Sequence, residues 1–373
     1  MGGFKLGKIF GFQINIDWSW LFIFFLVVYT LAVGYFPVKY PGLGAAADWA
    51  MGVVAALLLF VSVLIHELSH SLVSRGYGGE VKGITLFIFG GMSQTAEEPK
   101  AAREEFWMSV VGPLTSFVLS GVFYLLFVAG SAGKWPLPAV AILSYLAWIN
   151  FLLGVFNLIP GFPLDGGRVF RSLIWGATND LNKATHYASS VGQAFGYLMM
   201  TFGVFLLFGG NLIGGLWLAF IGWFLVSAAR SSYQQLLVRQ ALWGVSVERV
   251  MTTDVPPIPA QTSVREFVDE RLLRHDHACY PVVSGEDVIG IVGTEEVRTV
   301  PSDQWANVTV GDIAHRLDDA IEVDASDDAW DALVKLTSQD VCRLVVVENN
   351  HLKGTVGRES LFRLVRTKMQ LGV

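Results

Sequence analysis

The sequence predicts a multi-pass α-helical membrane domain followed by a smaller α+β part. Of the 373 residues, 53% are hydrophobic and only 16% are charged, and the mean hydropathy is +0.50. Soluble domains have about 25% charged residues, so much of this chain needs an apolar solvent. Long apolar runs fill the chain up to Ser232, and from Val245 onward charged residues recur every few positions. This change predicts a membrane domain at 1–232 and a polar part after it.

Six stretches are long and apolar enough to cross a bilayer, which takes roughly 20 residues as a helix. They lie at about 18–35, 49–72, 105–130, 137–159, 186–208 and 212–229. Tryptophan rings suit the headgroup region, and several fall near span ends: Trp18, Trp20, Trp49, Trp107 and Trp135. The sequence therefore predicts about six transmembrane helices in contact with a lipid bilayer.

The basic residues in the connections are divided unequally between the two sides. Lys39 and Lys134 lie on one side, and ten lie on the other: Lys5, Lys8, Arg75, Lys82, Lys100, Arg103, Arg168, Arg171, Lys183 and Arg230. The positive-inside rule places both termini in the cytoplasm. The first apolar run begins near Trp18 and is long enough to stay in the bilayer, so we expect no cleavable signal peptide. The prediction is a multi-pass protein of the cell membrane.

Charge and cysteine content exclude other classes. The net charge of −6 comes largely from the C-terminal part, and no basic cluster is dense enough to indicate a nucleic-acid partner. Only Cys279 and Cys342 are present, both within apolar, strand-like runs. Two such cysteines offer neither a disulfide framework nor a cysteine-based zinc site. We expect both to be core thiols in a reducing compartment.

The H-E-x-x-H pattern occurs near the cytoplasmic end of the second span, as His66-Glu67-Leu68-Ser69-His70. Positions i and i+4 share a helix face, so His66 and His70 can offer two imidazole nitrogens to one Zn²⁺. The Glu67 carboxylate can take a proton from water at the metal and pass it to a leaving amine. Alternatively, the helix leaves the bilayer here and the charges face water. Uncompensated polar groups in an apolar span are costly, which favours a metal.

A third ligand is needed, because catalytic zinc usually has three protein ligands and a water. The fourth span ends at the same side in Asn157 to Arg168, a stretch interrupted by Pro160, Pro163 and glycines. These residues free the backbone to turn, so that Asp165 can point inward. The alternative is a helix-capping aspartate in a surface turn.

A β-prone segment at 80–94 separates the second and third spans. It runs from Val81 to Phe89 and is punctuated by Gly90-Gly91. Strand backbone at membrane depth is tolerated only beside protein or a water-filled cavity. The segment therefore lines a site or, alternatively, forms a hairpin on the membrane surface.

Together these motifs resemble the site-2 proteases, a family of intramembrane zinc proteases. The matching features cover about residues 60–170: the His66 to His70 pattern, Phe89-Gly90-Gly91, Gly112-Pro113, and Asn157 through Gly167 with its Leu-Asp-Gly core. The resemblance implies that His66, His70 and Asp165 are zinc ligands and that Glu67 activates water. It also implies that Asn157 lies near the scissile bond, and that the substrates are single-span proteins cut within or beside their membrane helix.

Two positions depart from the family pattern. Ser69 replaces a frequent glycine, and Ser116 replaces a frequent asparagine after Gly112-Pro113. We expect neither to touch a metal ligand. Asn150 and Asn157 have an alternative role in bonding between helices, because amides can hold transmembrane helices together.

After a polar joint at 230–240, two similar modules follow at 245–300 and 305–370. Each has a short helical stretch and two β-rich runs, Cys279–Val283 with Val288–Val292, and Cys342–Val347 with Leu352–Val356. A repeat near 60 residues indicates paired α+β units. Val250-Met251-Thr252, Tyr280 to Val283 and Gly290 to Val292 resemble the CBS domain, and the second module repeats the pattern more loosely.

The CBS resemblance implies binding of adenine nucleotides and homodimerisation. The usual Ser or Thr after the last strand is replaced by Gly293 and Gly357, and the usual ribose-binding Asp by Glu296 and Ser360. Regulation by an adenine nucleotide and a purely structural or dimerising role therefore both stay open. We expect His275 and His277 to be solvated residues.

The leading functional prediction is a zinc-dependent intramembrane endopeptidase modulated by its CBS pair. One alternative is a CBS-regulated transporter or channel, which gives no reason for the H-E-x-x-H and Leu-Asp-Gly motifs to meet at one depth. Another is an inactive relative that binds membrane proteins, which conflicts with the presence of Glu67 and all three candidate ligands.

Overall fold

The computed structural model describes residues 3–79, 81–88, 90–95, 99–274, 279–285, 287–316, 321–339, 341–348 and 351–371. Phe89, His275 and His277, which the sequence analysis singled out, lie outside this set. The chain forms two compact units, Met1–Gln234 and Gln235–Val373.

Within the described residues, six helical segments are long and apolar enough to cross a membrane, which confirms the predicted spans. The first, Trp18–Lys39, combines α1 (Trp18–Tyr29), a π-helical segment (Thr30–Tyr35) and α2 (Phe36–Lys39). The helices that follow are α3 (Ala45–Gly76), α4 (Ala102–Ala132), α5 (Leu137–Asn157), α6 (Asp165–Thr178), α7 (Leu181–Phe208) and α8 (Leu212–Leu242). Helix α6 is the only one of these six later helices that is not a candidate span, and the sequence analysis did not predict it.

A four-stranded sheet completes the first unit. Its strands are β1 (Gly3–Ile9), β2 (Phe12–Asp17), β3 (Val81–Phe87) and β4 (Gly90–Thr95), in the order β1-β2-β3-β4. β2 pairs in parallel with β3, and the other two pairings are antiparallel. The β3–β4 hairpin confirms the predicted β segment, whereas the β1–β2 hairpin was not predicted.

The inner face of this sheet packs on helix α3. Every second residue of β2 is buried, as expected for a strand with one face in a core. Phe12 and Ile14 form a cluster with Leu68 of α3. Ile16 packs with Phe60, which lies eight residues earlier on the same helix. The sheet is therefore fixed to the helix that carries the H-E-x-x-H motif.

Asn150 and Asn157 have different partners. The buried Asn150 of α5 donates from Nδ2 to Ser62 Oγ of α3 at 3.3 Å. Asn157 donates to Leu153 O of its own helix at 3.0 Å. The alternative role predicted for these residues, a bond between two helices, is therefore observed for Asn150.

The second unit contains two sheets that correspond to the two modules. The first has the order β5-β6-β7-β8 and the second β11-β10-β9. In chain order the elements are β5 (Ile258–Pro259), α9 (Val264–Phe267), β6 (Cys279–Ser284), β7 (Asp287–Gly293), α10 (Thr294–Arg298), α11 (Val310–Ile313), β8 (His315–Arg316), β9 (Glu322–Val323), α12 (Ala329–Ser338), β10 (Arg343–Glu348), β11 (His351–Gly357) and α13 (Arg358–Leu371). The two predicted β-rich pairs are confirmed as β6 with β7 and β10 with β11.

The cores of the two modules exchange chain segments. Val247 and Val250 are buried in the cluster that contains Leu344 of the second sheet. Val310 is buried with Tyr280 in the core of the first. The core of the second module thus includes Val247 and Val250, which precede the first sheet in the sequence. The core of the first module includes Val310, which precedes the second sheet.

The prediction of two free core thiols is wrong, because a disulfide joins Cys279 to Cys342. Cys279 opens β6 and Cys342 directly precedes β10, so the two cysteines occupy equivalent places in the two modules. The packing of one module on the other brings their Cα atoms to 6.2 Å although 63 positions separate them. With both cysteines in a disulfide, they no longer indicate a reducing compartment.

Candidate active site

Three candidate ligands from two helices converge inside the first unit. His66 and His70 lie one turn apart on α3, and Asp165 is the first residue of α6. Asp165 Oδ2 lies 3.1 Å from His66 Nε2 and 3.2 Å from His70 Nε2, and the two Nε2 atoms are 3.2 Å apart. The side chains of His66, His70 and Asp165 are only 5%, 14% and 17% exposed. The structure therefore brings together two motifs that are about 95 residues apart in sequence.

The geometry of this cluster fits a zinc ion. Tetrahedral zinc with bonds of about 2.0–2.1 Å holds its donor atoms roughly 3.3–3.4 Å apart. The three donors form a nearly equilateral triangle with sides of 3.1–3.2 Å, slightly smaller than these distances. Two imidazoles and one carboxylate are also a donor set used by catalytic zinc, which keeps a fourth position open.

Helix α4 holds both histidine rings from behind. His70 Nδ1 donates to the Met108 carbonyl, and His66 Nδ1 lies 2.9 Å from Ser116 Oγ. A ring that donates from Nδ1 keeps the lone pair of Nε2 for a metal. Ser69 Oγ in turn donates to the His66 carbonyl at 2.6 Å. The expectation that neither Ser69 nor Ser116 touches a candidate ligand is therefore wrong. In a helix bundle, a residue on a separate helix can reach a ligand that no local spacing indicates.

Gly112 gives the Gly112-Pro113 motif a steric reason. A Cβ atom on Gly112 would lie 2.1 Å from His70 Nε2 and 2.7 Å from His66 Nε2. Any side chain at this position would occupy the space between the two imidazole donors. The glycine thus lets α4 approach the cluster closely.

The Leu-Asp-Gly-Gly stretch directs Asp165 inward by close packing. A Cβ on Gly166 would lie 2.3 Å from the Leu158 carbonyl carbon, and one on Gly167 the same distance from that of Gly161. The two glycines allow α6 to start directly against the turn that follows α5. Leu164 is the N-cap, so Asp165 is not a helix-capping aspartate.

A buried ion pair joins α6 to α4. Glu105 of α4 is fully buried, and Arg171 of α6 donates to its Oε1 from Nε at 2.7 Å and also from Nη2. Arg168 Nε lies 3.7 Å from the same oxygen. Sequence reasoning missed this pair and counted Arg171 among loop cations. Glu105 at the start of an apolar span was the one available signal, since a buried charge needs a partner.

A cavity of about 640 Å³ opens onto the cluster. Glu67 lines it, and so do Asn157, Arg168, and Phe87, Ile88, Gly90 and Gly91 of the β3–β4 segment. A Cβ on Gly91 would lie 2.3 Å from Glu67 Cγ, so β4 passes directly against the glutamate. Of the two alternatives for the β segment, the structure thus supports the one in which it lines a site. Helix α8 adds an apolar wall with Trp217, Ile221 and Phe224.

Comparison with known proteins gives matches to both parts of the chain. The model for peptidase family M50 matches residues 54–133 and 132–200, and the CBS domain model matches 247–303. A predicted zinc metalloprotease of Synechocystis sp. is 34% identical over 366 residues, which cover 97% of this chain and 95% of the relative. The predicted zinc metalloprotease Rip3 of Mycobacterium tuberculosis is 35% identical over 310 residues, 83% of this chain and 79% of the relative.

Among solved structures, the site-2 protease from Methanocaldococcus jannaschii is 28% identical, covers 62% of this chain and 95% of that chain, and has a TM-score of 0.44. The extended identity to zinc metalloproteases coincides with the converging donors and the six apolar helices. The chain therefore belongs to peptidase family M50, as a membrane-embedded zinc metalloprotease with a C-terminal CBS region.

Proposed function

We propose that this protease uses His66, His70 and Asp165 to hold one zinc ion and cuts single-span membrane proteins within or beside their transmembrane helix. The observation that carries the proposal is the triangle of donor atoms 3.1–3.2 Å apart. In a bundle of apolar helices these groups compensate one another's burial only through a shared cation or proton. The alternative of a transporter or channel gives no particular reason for the two motifs to meet at one depth.

When bound, zinc polarises the scissile carbonyl and lowers the pKa of a water molecule. Glu67 adjoins the cluster on the cavity side and acts as the base. It accepts a proton from the attacking water and donates it to the leaving amine. Asn157 lines the same cavity, and its amide binds the substrate beside the scissile bond.

The substrate segment has to unwind before cleavage, because the carbonyl groups of a membrane helix are already hydrogen-bonded. β4 is an edge strand of the sheet and passes beside Glu67. An unwound segment pairs with the stretch from Phe87 to Gly91 by β-augmentation. The apolar wall of α8 suits the side chains of a former membrane helix.

The termini and the CBS region lie in the cytoplasm in this proposal, on the side favoured by the basic connections. The CBS pair modulates the protease by a structural or dimerising role. Glu296, at the usual ribose-binding position, already accepts the Gly293 N–H at 2.8 Å. Ser360 donates to the Gly357 carbonyl at 2.9 Å. These local bonds count against an adenine nucleotide at either position.

Elemental analysis of the purified full chain tests the metal site without knowledge of the substrate. We expect about one zinc per chain in the wild type, and loss in both His66→Ala and Asp165→Ala. The variant Glu67→Gln is the matched control, since it should keep the metal and lose proteolysis. Wild type without zinc would refute the proposal, and a Glu67→Gln variant that still cleaves would refute the role of the base.

The β-augmentation step is tested by Ile88→Pro, which fixes the backbone between β3 and β4 and should slow cleavage of a membrane substrate at least tenfold. The Ile88 N–H donates to Ser19 Oγ at 3.2 Å. Ser19→Ala removes that bond, together with the bond from Ser19 Oγ to Asp17 Oδ1, without altering the backbone at Ile88, and is the control. Equal rates for Ile88→Pro and the wild type would contradict the proposed pairing.

The role of the CBS pair is tested by adding ATP to the full chain and following thermal unfolding and heat of binding. We expect no shift and no heat. A saturable shift of several degrees would replace the dimerising role with nucleotide regulation.

A further inference from the structure

Arg168 places a positive charge on the wall of the cavity. Among the described residues that line this cavity, it is the only one with a fixed positive charge, and the acidic Glu67 and Asp165 line it as well. Arg168 follows Asp165 by three positions on α6. Side chains at this spacing are neighbours on one helix face, with Cβ atoms about 5–6 Å apart. The guanidinium is therefore within reach of a group that binds at the three candidate ligands.

The side-chain donors of Arg168 have no hydrogen-bond acceptor in the described parts of the chain. The one polar contact of this side chain joins its Nε to Glu105 Oε1, and 3.7 Å is too long for a hydrogen bond. A guanidinium that has lost part of its water without gaining an acceptor costs free energy, which a bound acceptor recovers. Since the side chain is 35% exposed and lines the cavity, a ligand in the cavity can supply that acceptor.

The buried Glu105 does not account for the presence of Arg168. Its Oε1 already accepts two hydrogen bonds from Arg171, one from Nε at 2.7 Å and one from Nη2. Its Oε2 has no hydrogen-bond partner within the described ranges, so Arg168 does not bond to that oxygen either. One carboxylate balances one arginine. The second arginine is left without a counter-charge, and it is the one that faces the cavity.

The formal charges around the cavity favour an anionic ligand. Glu67, Asp165, Glu105 and the two arginines sum to one negative charge, and a zinc dication at the candidate ligands changes this to one positive charge. An unbalanced charge in a cavity with apolar walls attracts a group of opposite sign. Hydrolysis of a peptide bond generates such a group. The C–N bond breaks, the water oxygen stays on the carbonyl carbon as part of a carboxylate, and the amine leaves with a proton.

We propose that Arg168 binds the carboxylate that forms on the acyl side of the cut bond. The planar guanidinium fits a carboxylate through two parallel N–H donors. The same donors stabilise the negative charge that develops on the acyl group as the amide is attacked. This assignment rests on the proposed function, because it places the cut bond beside Asp165. Arg168 is then a substrate-binding residue in addition to Asn157.

The test measures how tightly the full chain, loaded with zinc in detergent, binds two product-like peptides. The fluorescent peptides share one apolar sequence and end in a free carboxylate or in a carboxamide. We expect the wild type to bind the carboxylate form about 10–100-fold more tightly, measured by fluorescence anisotropy. Arg168→Met should lose most of this preference and keep its zinc. Arg75→Met is the control with the wild-type preference, since Arg75 bonds to the Phe10 carbonyl and does not line the cavity.

Thermal unfolding and elemental analysis of each variant check its fold and its metal content. Arg168→Gln loses the charge but keeps a polar side chain beside Glu105, so it repeats the comparison if methionine perturbs folding. An unchanged preference in a folded, zinc-loaded Arg168 variant would overturn the proposal, and so would a wild type that binds neither peptide. Loss of zinc from both Arg168 variants would also overturn it, because Arg168 would then support the metal site. Wild type without zinc would instead refute the proposed function.

Discussion

The candidate metal site of the first unit and the strand ends of the CBS region both lie at family motifs, yet the polar atoms of the first bond to residues far away in the sequence and those of the second to near neighbours. In the cluster, His66 and His70 are held from α4 so that their Nε2 atoms face Asp165 from another helix. In the CBS region, Glu296 and Ser360 bond to residues only three positions away. Long-range convergence of buried polar atoms is costly and therefore indicates a site, whereas short-range capping stabilises the fold.

The largest expected effect comes from filling the space between the histidines. Gly112→Ala puts a methyl group 2.1 Å from His70 Nε2, so we expect zinc affinity to fall more than 100-fold, measured by competition with a chelator. Gly121→Ala, on the same helix, is the control, because an added Cβ there meets nothing within 4 Å. Normal zinc binding by Gly112→Ala would mean that the donor triangle is not the metal site.

The buried ion pair should matter far more than an exposed one in the CBS region. Arg171→Met leaves Glu105 buried without its main partner, which costs about 3–5 kcal/mol of unfolding free energy. The double variant Glu105→Leu with Arg171→Met should recover most of that loss. Lys353→Met, which removes the partly exposed pair with Glu248, should cost at most about 1 kcal/mol. Thermal unfolding in detergent measures all three, and equal losses in the two regions would contradict the comparison.

Removing one bond behind a histidine should weaken zinc binding moderately. Ser116→Ala deletes the partner of His66 Nδ1, and loss of such a partner lowers metal affinity about 10–100-fold. Ser120→Ala is the control, since Ser120 lies one turn further along α4 and bonds to the Ala147 carbonyl. If both serine variants bound zinc equally well, the contact of Ser116 with His66 would have no part in ligand positioning.

The smallest effect is expected at the CBS position. Glu296→Ala removes the acceptor of the Gly293 N–H at the start of α10, which should lower the stability of the second unit by about 1 kcal/mol. Zinc content should not change. Chemical unfolding of the full chain measures the first quantity and elemental analysis the second. An unchanged unfolding curve would show that the capping bond contributes nothing.

Patterns that repeat over short distances were predicted well from the sequence. Long apolar runs predicted the six spans, and short β-rich runs predicted β6, β7, β10 and β11. The motif at His66 and the Leu-Asp-Gly stretch were correctly expected to lie close together. In each case the evidence lies within one segment of the chain, either as a pattern of apolar residues or as the cost of burying a polar group in it.

The missed features depend on residues far apart in the chain. The β1–β2 hairpin packs on α3 about 50 residues later, and α6 depends on Glu105 to hold Arg171. The contact of Ser116 with His66 and the bond between Cys279 and Cys342 join positions 50 and 63 residues apart. None of these pairs has a spacing that identifies its partner, because tertiary packing alone brings them together.

Helix α4 carries none of the three candidate ligands, yet it contacts both histidines through Met108 and Ser116 and is bonded to helix α6 through Glu105. A mutational screen scored by activity alone would therefore assign several α4 positions to the same class as the ligands. Only a separate measurement of bound metal and of folding would tell the supporting helix from the residues that it supports. For the same reason, transferring the three candidate ligands into another helix bundle would not recreate the site unless the supporting residues of α4 were transferred with them.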